Sequence, residues 1–252
     1  MNGFTVFARK ETQEILRTWR LWVLPGILMF FAATGPPLAR YTPEIVTAFA
    51  GDQLTGLIPT ATYLDAYGQW TKNLTQIALF ALIIIYGGIV SAESRSGTAI
   101  LVLTKPVSRS AFVVVKAVVN SVFVAVLLIV GTLVTWGLTA VMFGTAPAGP
   151  LWSSALVWLV IAVQFIALMT LLSVVIGSAA GAAGAGLGFF VLASIASIGK
   201  PLASYSPAGL TSQATSLAAG TTAAPLWPVL TSLVLSVALV TLAAVLFRRK
   251  EL

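Results

Sequence analysis

The chain has 252 residues, of which 58% are hydrophobic and 8% charged, whereas soluble domains have roughly 25% charged residues. So few charges cannot cover a water-soluble surface. Neither His nor Cys is present, so Ser-His triads, disulfides and the usual zinc and haem ligands are excluded. The net charge of +7 comes from basic residues at the ends of apolar runs, which favours a membrane over nucleic acid. We therefore predict an all-α integral membrane protein without catalytic or metal-binding residues.

Residues 1–20 are predicted to form a cytoplasmic interfacial helix. Its apolar residues recur at helical spacing and oppose a basic and polar face, so the helix would lie in the headgroup plane. Glu11 interrupts the apolar arc. A basic flank that only orients the first span is the alternative. The apolar side comprises Phe4, Phe7, Ala8, Ile15 and Trp19, and the opposite side comprises Arg9, Lys10, Gln13 and Arg17.

Residues 21–252 are predicted to form a six-helix transmembrane domain, because about 20 apolar residues are needed for each crossing. Pro/Gly turns close the first span near Gly35 and divide the long uncharged stretch that follows Lys116. Gly181, Gly184 and Gly188 are predicted to serve close helix packing in the fifth span. The predicted spans are 21–38, 74–92, 112–143, 151–177, 180–199 and 226–247.

The distribution of Lys and Arg predicts the orientation of these spans. Six crossings from an inside N-terminus place eleven Lys and Arg residues in the cytoplasm and only Arg40, Lys72 and Lys200 outside, in agreement with the positive-inside tendency. We therefore expect a multi-pass protein of the cell membrane with both termini cytoplasmic. The loops at 39–71 and 200–225 would lie outside, the second without a distinctive chemistry.

The segment from Glu93 to Lys116 is the most informative cytoplasmic loop. Gly97 permits a turn, Thr98 can cap a short apolar helix at 99–103, and Pro106 should end that helix. Ser108 can cap the next long helix. A short apolar helix held below the membrane suits docking of a partner, although an ordinary connector resting on the bilayer is the alternative.

The order of Glu93, Gly97-Thr98, an apolar run to Leu103, Pro106 to Arg109 and Lys116 resembles the cytoplasmic loop of type-2 ABC transporter permeases. The Lys10-Glu11 pair, the six spans and the basic C-terminus fit the same family. The resemblance implies a permease subunit that moves its substrate outward. It would work with cytosolic ABC ATPases and with a second permease copy, as a homodimer or with a paralogue. ATP and Mg would be bound by the ATPase, and this chain would hold no cofactor.

The resemblance also assigns roles to residues of the loop. It implies that Leu101 and Leu103 pack in an ATPase cleft, with Arg95, Lys105 and Arg109 at its rim. Glu93 is the acid expected to be functional, paired with Lys10, Arg17 or Arg109. The implied coupling residues are Glu93, Arg95, Gly97, Thr98, Leu101, Leu103, Pro106, Ser108 and Arg109, and those of the interfacial helix are Lys10, Glu11 and Arg17.

The chain has no phosphate-binding loop, because its Gly199-Lys200 pair precedes Pro201 and lacks the required Ser or Thr. A secondary transporter is an alternative, weakened by the expectation that no ionisable residue lies within spans two to six. A membrane anchor or assembly subunit without transport activity is another. Because residues 117–199 offer Ser, Thr, Trp and Gln164 but no charge, the expected substrate is amphiphilic or largely apolar, or is bound by uncharged polar groups.

Overall fold

A computed structural model of the chain describes residues 3–50, 60–98, 108–221 and 225–250. Within these residues the secondary structure is helical, without strands. Six helices are long and apolar enough to cross a membrane, which confirms the predicted all-α membrane fold. They are Arg20–Phe49, Tyr63–Arg95, Arg109–Phe143, Ala148–Ile176, Ala179–Ala196 and Leu226–Arg249.

Helix α1 (Gly3–Arg17) precedes the first span and packs on the bundle through one face. The buried residues of that face, Phe7, Glu11 and Ile15, are spaced four apart and therefore lie one above the other. Phe4 and Trp19, which the sequence placed on the apolar side, are about half exposed. Glu11 is thus at the centre of the buried face, whereas the sequence pattern treated it as an interruption.

The first span, α2 (Arg20–Ala50), continues past Gly35, Pro36 and Pro37, where the sequence predicted its end. Proline fixes φ near the helical value, and membrane helices tolerate it where neighbours satisfy the freed carbonyl groups. The predicted outer loop at 39–71 is shortened accordingly, because α2 reaches Ala50 and the next helix begins at Tyr63.

The second span is built from several pieces. It comprises α3 (Tyr63–Asn73), a π-helical turn (Leu74–Ala78), α4 (Leu79–Tyr86), a turn, and α5 (Ser91–Arg95). At the turn the backbone N–H groups of Val90 and Ser91 donate to Ser173 Oγ, at 3.1 and 2.9 Å. A side chain of another span therefore satisfies the backbone groups that the break leaves without helical partners.

Two further spans lie at the centre of the chain. Helices α6 (Arg109–Phe143) and α7 (Ala148–Ile176) end at Gly144 and Gly177, where the sequence placed turns. Both glycines have positive φ, a conformation that glycine adopts without a steric cost. Helix α7 packs against α6 and against the helices at 210–218 and 226–249, so it is the central support of the bundle.

The last helices complete the bundle. The fifth span is α8 (Ala179–Ala196), followed by α9 (Lys200–Tyr205), a 3-10 turn (Pro207–Gly209) and α10 (Leu210–Ala218), and the sixth span is α11 (Leu226–Arg249). The segment predicted as an outer loop is thus largely helical. Leu210, Ala214 and Leu217 are spaced to form one face of α10, and that face is buried against α7 and α3.

Candidate functional site

A buried ion cluster joins α1 to the second and third spans. Lys116 of α6 is 1% exposed, and its Nζ lies 2.9 Å from Glu11 Oε2 and 2.5 Å from Glu93 Oε1. One ammonium group therefore bonds two carboxylates from two other helices, α1 and α5. The burial of these charges is tolerable because they are paired with one another.

Three more side chains extend this cluster. Lys10 Nζ lies 3.1 Å from Glu93 Oε1 and 2.5 Å from Glu14 Oε2. Asn120, one helical turn beyond Lys116, donates from Nδ2 to the Lys116 carbonyl oxygen at 2.8 Å and to Glu11 Oε1 at 3.4 Å. We call the six residues Lys10, Glu11, Glu14, Glu93, Lys116 and Asn120 the charged junction.

Lys10 occupies the edge of the charged junction, where its side chain is 39% exposed. Partial burial by itself lowers the Lys10 pKa, but the hydrogen bond to Glu14 and the attraction of Glu93 outweigh it. The pKa of Lys10 is therefore raised above its ordinary value, and the ammonium form is kept near neutral pH.

Aromatic rings cover the charged junction on one side. The ring centroids of Phe7 and Phe112 lie 5.1 Å apart, and those of Phe112 and Phe247 lie 5.3 Å apart. Lys116 Nζ is 5.2 Å from the Phe112 centroid, within the range of a cation–π interaction. The stack joins α1, α6 and α11 and shields the ion pairs from water, which strengthens their attraction.

The C-terminal end of α11 is attached to the same region. Arg109 Nη1 donates to the carbonyl oxygen of Lys250 at 2.7 Å and to that of Arg248 at 3.4 Å. Lys250 Nζ donates to the Val174 carbonyl oxygen at 2.8 Å. Cationic side chains thus satisfy carbonyl groups at the ends of α11 and α7, where no further helical turn supplies a partner.

The predicted site residues have different surroundings in the structure. Glu93 pairs with Lys10, one of its three predicted partners, whereas Arg109 bonds the end of α11 and Arg17 is exposed. Arg95 is also exposed. Gly97 has positive φ, Thr98 Oγ1 donates back to the Glu93 carbonyl oxygen, and Ser108 Oγ caps α6. Leu101, Leu103, Lys105 and Pro106 lie outside the described residues.

Sequence reasoning missed the role of Lys116 and Asn120. Lys116 was taken as the polar boundary of the third span, whereas the structure buries it near the start of α6. Helical spacing offered a signal, since Phe112, Lys116 and Asn120 are four residues apart and share one face. The matching face of α1 has Glu11 between Phe7 and Ile15.

The carboxylates of the charged junction also resemble a cation site in their spacing. Oxygen atoms of Glu11, Glu14 and Glu93 lie within 4.8 Å of one another. However, Lys10 and Lys116 already place ammonium groups between them. Each of the three carboxylates is therefore paired with a lysine of the chain, whereas Glu93 Oε2 and Asn120 Oδ1 are buried without a hydrogen-bond partner in the described residues.

Six helices long and apolar enough to cross a membrane define a polytopic helical membrane protein. Ion pairs join α1 to the second and third spans and so tie together the two flanks of the segment between Glu93 and Lys116. The family model described as "ABC-2 family transporter protein" matches residues 5–252, and the chain belongs to this family. No curated protein matches the chain. It is therefore an ABC transporter permease, of a family whose members are typically non-catalytic membrane subunits that associate with ABC ATPases.

Proposed function

We propose that the chain is the permease of an ATP-driven exporter and is coupled to a separate ATPase through the loop between Glu93 and Lys116. The observation that carries this proposal is the direct contact between these two residues, 2.5 Å between Nζ and Oε1. They flank the loop on its two sides. A force applied to the loop would therefore reach the second and third spans together.

The charged junction extends the same connection to α1. Glu11 and Lys10 bond Lys116 and Glu93, so α1 would move with the loop as one rigid unit. Such rigid-body movement of packed helices is a common way to switch between two conformations. Closure of an ATPase dimer that binds ATP and Mg would thus turn the permease from an inward-open to an outward-open state.

A second permease copy completes the proposed transporter. In α8, a Cβ atom added at Gly184 or Gly188 would meet no atom within 4 Å. These glycines therefore do not serve packing within the chain, whereas Gly186 faces Met169 and Ile83. An open small-residue face in a membrane helix supports close packing against another helix. The cell membrane and cytoplasmic termini are proposed on the charge distribution.

The proposal is tested at the loop itself. Leu103→Asp would place an unpaired carboxylate in an apolar contact, so we expect loss of most ATPase co-purification and of permease-dependent ATP hydrolysis. Arg109→Ala should reduce both by no more than about fivefold, since a partly exposed charge contributes about 1 kcal/mol or less. Insertion of the six spans should be unchanged in both variants.

Two other outcomes would replace the proposal. Wild-type co-purification and hydrolysis in Leu103→Asp would show that the loop is not the docking site. Absence of any co-purifying ATPase in the wild type, together with transport driven by an ion gradient, would establish secondary transport, and absence of transport would indicate an assembly or anchor subunit.

A further inference from the structure

A cavity of about 280 Å³ lies in the half of the bundle away from the charged junction. Its floor is formed by Ile161, Gln164 and Phe165 of α7, and its walls by α8 and α11. The 3-10 turn and α10 cover it at Pro207 and Thr211. Gln164 is near the middle of the 29-residue helix α7, so the cavity extends from mid-depth towards one end of the membrane-spanning bundle.

The cavity is kept open by rings that pack against one another. The Phe165 centroid lies 6.0 Å from that of Phe189 and 6.2 Å from that of Phe190, and Phe190 is held in turn by Phe80 at 5.0 Å. Edge-to-face contacts at these distances are favourable. Phe189 and Phe190 belong to α8, which packs on α7 and α4, so the α8 wall is supported from behind.

One polar group faces this apolar space without a partner. Gln164 is 5% exposed, and its Oε1 accepts a hydrogen bond from Ser232 Oγ. Its Nε2 makes no hydrogen bond within the described residues and, unlike the indole nitrogen of Trp158, is not enclosed by protein atoms. Because Gln164 lines the cavity, its N–H groups are available to an acceptor there.

The two remaining polar residues of the lining add little charge or directionality. Ser194 Oγ donates to the Phe190 carbonyl oxygen of its own helix, and Thr211 lies at the cover. No ionisable side chain of the described residues lines the cavity. A charged ligand group would therefore lose its hydration without gaining a partner.

We infer that this cavity binds the uncharged acyl-ester part of an amphiphile, with an apolar chain between the Phe rings and one ester carbonyl oxygen that accepts from Gln164 Nε2. Ligand sites are mostly apolar with few orienting polar groups, as here. At about 30 Å³ for each water-sized group, the volume holds about nine methylene-sized groups. The inference goes beyond the proposed function, since binding at this site needs no ATPase.

The rim indicates how such a chain reaches the cavity. Leu192 lines it and is 66% exposed, and α8 packs on α4 and α7 while the opposite wall belongs to α11. The cavity therefore opens at the bundle surface between the fifth and sixth spans, where the surroundings of a membrane protein are lipid. Both a bilayer phospholipid and a free monoacyl ester offer the required chain and carbonyl group.

The test uses the full-length permease in lipid nanodiscs and a palmitic acid methyl ester that carries an aliphatic diazirine. After irradiation, we expect the label on the peptide that contains Phe189, Phe190 and Leu192. Ala193→Phe, which fills the cavity, should remove most of this label. Ala238→Phe, the same change at an exposed site of α11 outside the lining, should leave it unchanged.

The role of Gln164 is tested by a second variant that keeps its shape. Gln164→Met should lower ester labelling about fivefold, the usual effect of one lost hydrogen bond, and leave labelling by a diazirine alkane of equal length unchanged. Competition by excess dioleoylphosphatidylcholine would identify membrane lipid as the source, and competition only by methyl palmitate a free amphiphile. Equal labelling of wild type and Ala193→Phe, or of ester and alkane probes in wild type, would overturn the inference.

Discussion

At the α1 end of the bundle, five ionisable side chains are packed in contact with one another, whereas the cavity beside Gln164 has no ionisable side chain among its described lining residues. Both regions remove polar groups from water, which is unfavourable unless those groups find new partners. The two regions supply these partners differently. In the charged junction every described charge has a partner within the chain, so the region is rigid and sensitive to the loss of any member. In the cavity one amide is left for an external partner, so this region is suited to exchange of ligands.

Lys116→Met should give the largest effect, because it leaves Glu11 and Glu93 buried without their cation. Removing one partner of a buried pair costs about 3–5 kcal/mol, and thermal unfolding of the purified permease in detergent would measure it. Lys72→Met, which removes an exposed lysine, is the matched control and should change stability by no more than about 0.5 kcal/mol. Adding Glu11→Gln to Lys116→Met should restore part of the loss. Equal stability of Lys116→Met and Lys72→Met would show that the charged junction does not stabilise the contact between these helices.

Ser173→Ala should have an intermediate effect. It removes the acceptor for the N–H groups of Val90 and Ser91, and an unsatisfied buried donor costs about 1–3 kcal/mol. Hydrogen exchange at residues 87–95 would report the loosened turn. Ser194→Ala provides the comparison in the cavity wall, since this exposed hydroxyl bonds only the carbonyl of its own helix. Protection at the turn that is unchanged by Ser173→Ala would contradict the role given to Ser173.

Lys10→Met should have the smallest effect, about 1 kcal/mol or less, because the side chain is partly exposed and its ion pairs are screened. The raised Lys10 pKa means that its stabilisation is fully present below the ordinary lysine pKa of 10.5 and is lost as pH rises through the folded-state pKa. The difference in Tm between wild type and Lys10→Met should therefore be constant from pH 7 to about pH 9 and shrink above about pH 10.5. A difference in Tm that grows with pH would contradict the stabilising role given to the Lys10 ammonium group.

Composition was sufficient to predict the class of protein. A chain with 58% hydrophobic and 8% charged residues must place apolar surface in lipid, whichever way its helices pack. The turns at Gly144 and Gly177 followed in the same way from local chemistry, because positive φ favours glycine. These features depend on nearby residues and were therefore accessible from the sequence.

Features that depend on packing between distant segments were not accessible. Glu11 and Lys116 are 105 positions apart in the sequence, and only the packed bundle shows that each supplies the other's counter-charge. The continuation of α2 through Pro36 and Pro37 likewise depends on tertiary surroundings that override a strong local signal. Gln164 was noted as one of few polar residues in its stretch, but the cavity beside it is formed by four helices and a turn.

Two glycines, Gly87 after α4 and Gly186 within α8, allow α8 to pack closely on its neighbours. A Cβ atom at Gly87 would lie 2.5 Å from the Ala179 carbonyl oxygen, and one at Gly186 would lie 2.5 Å from Met169 Sδ and 2.9 Å from Ile83 Cγ2. The fifth span therefore packs closely on the end of α4 at Ala179 and, two turns further along, on α4 and α7 at Gly186. Close contacts at two levels oppose rotation of α8 about its own axis. Spin labels on α8 and α4 should accordingly keep one fixed separation throughout a transport cycle, while their distances to helices that move relative to this pair change.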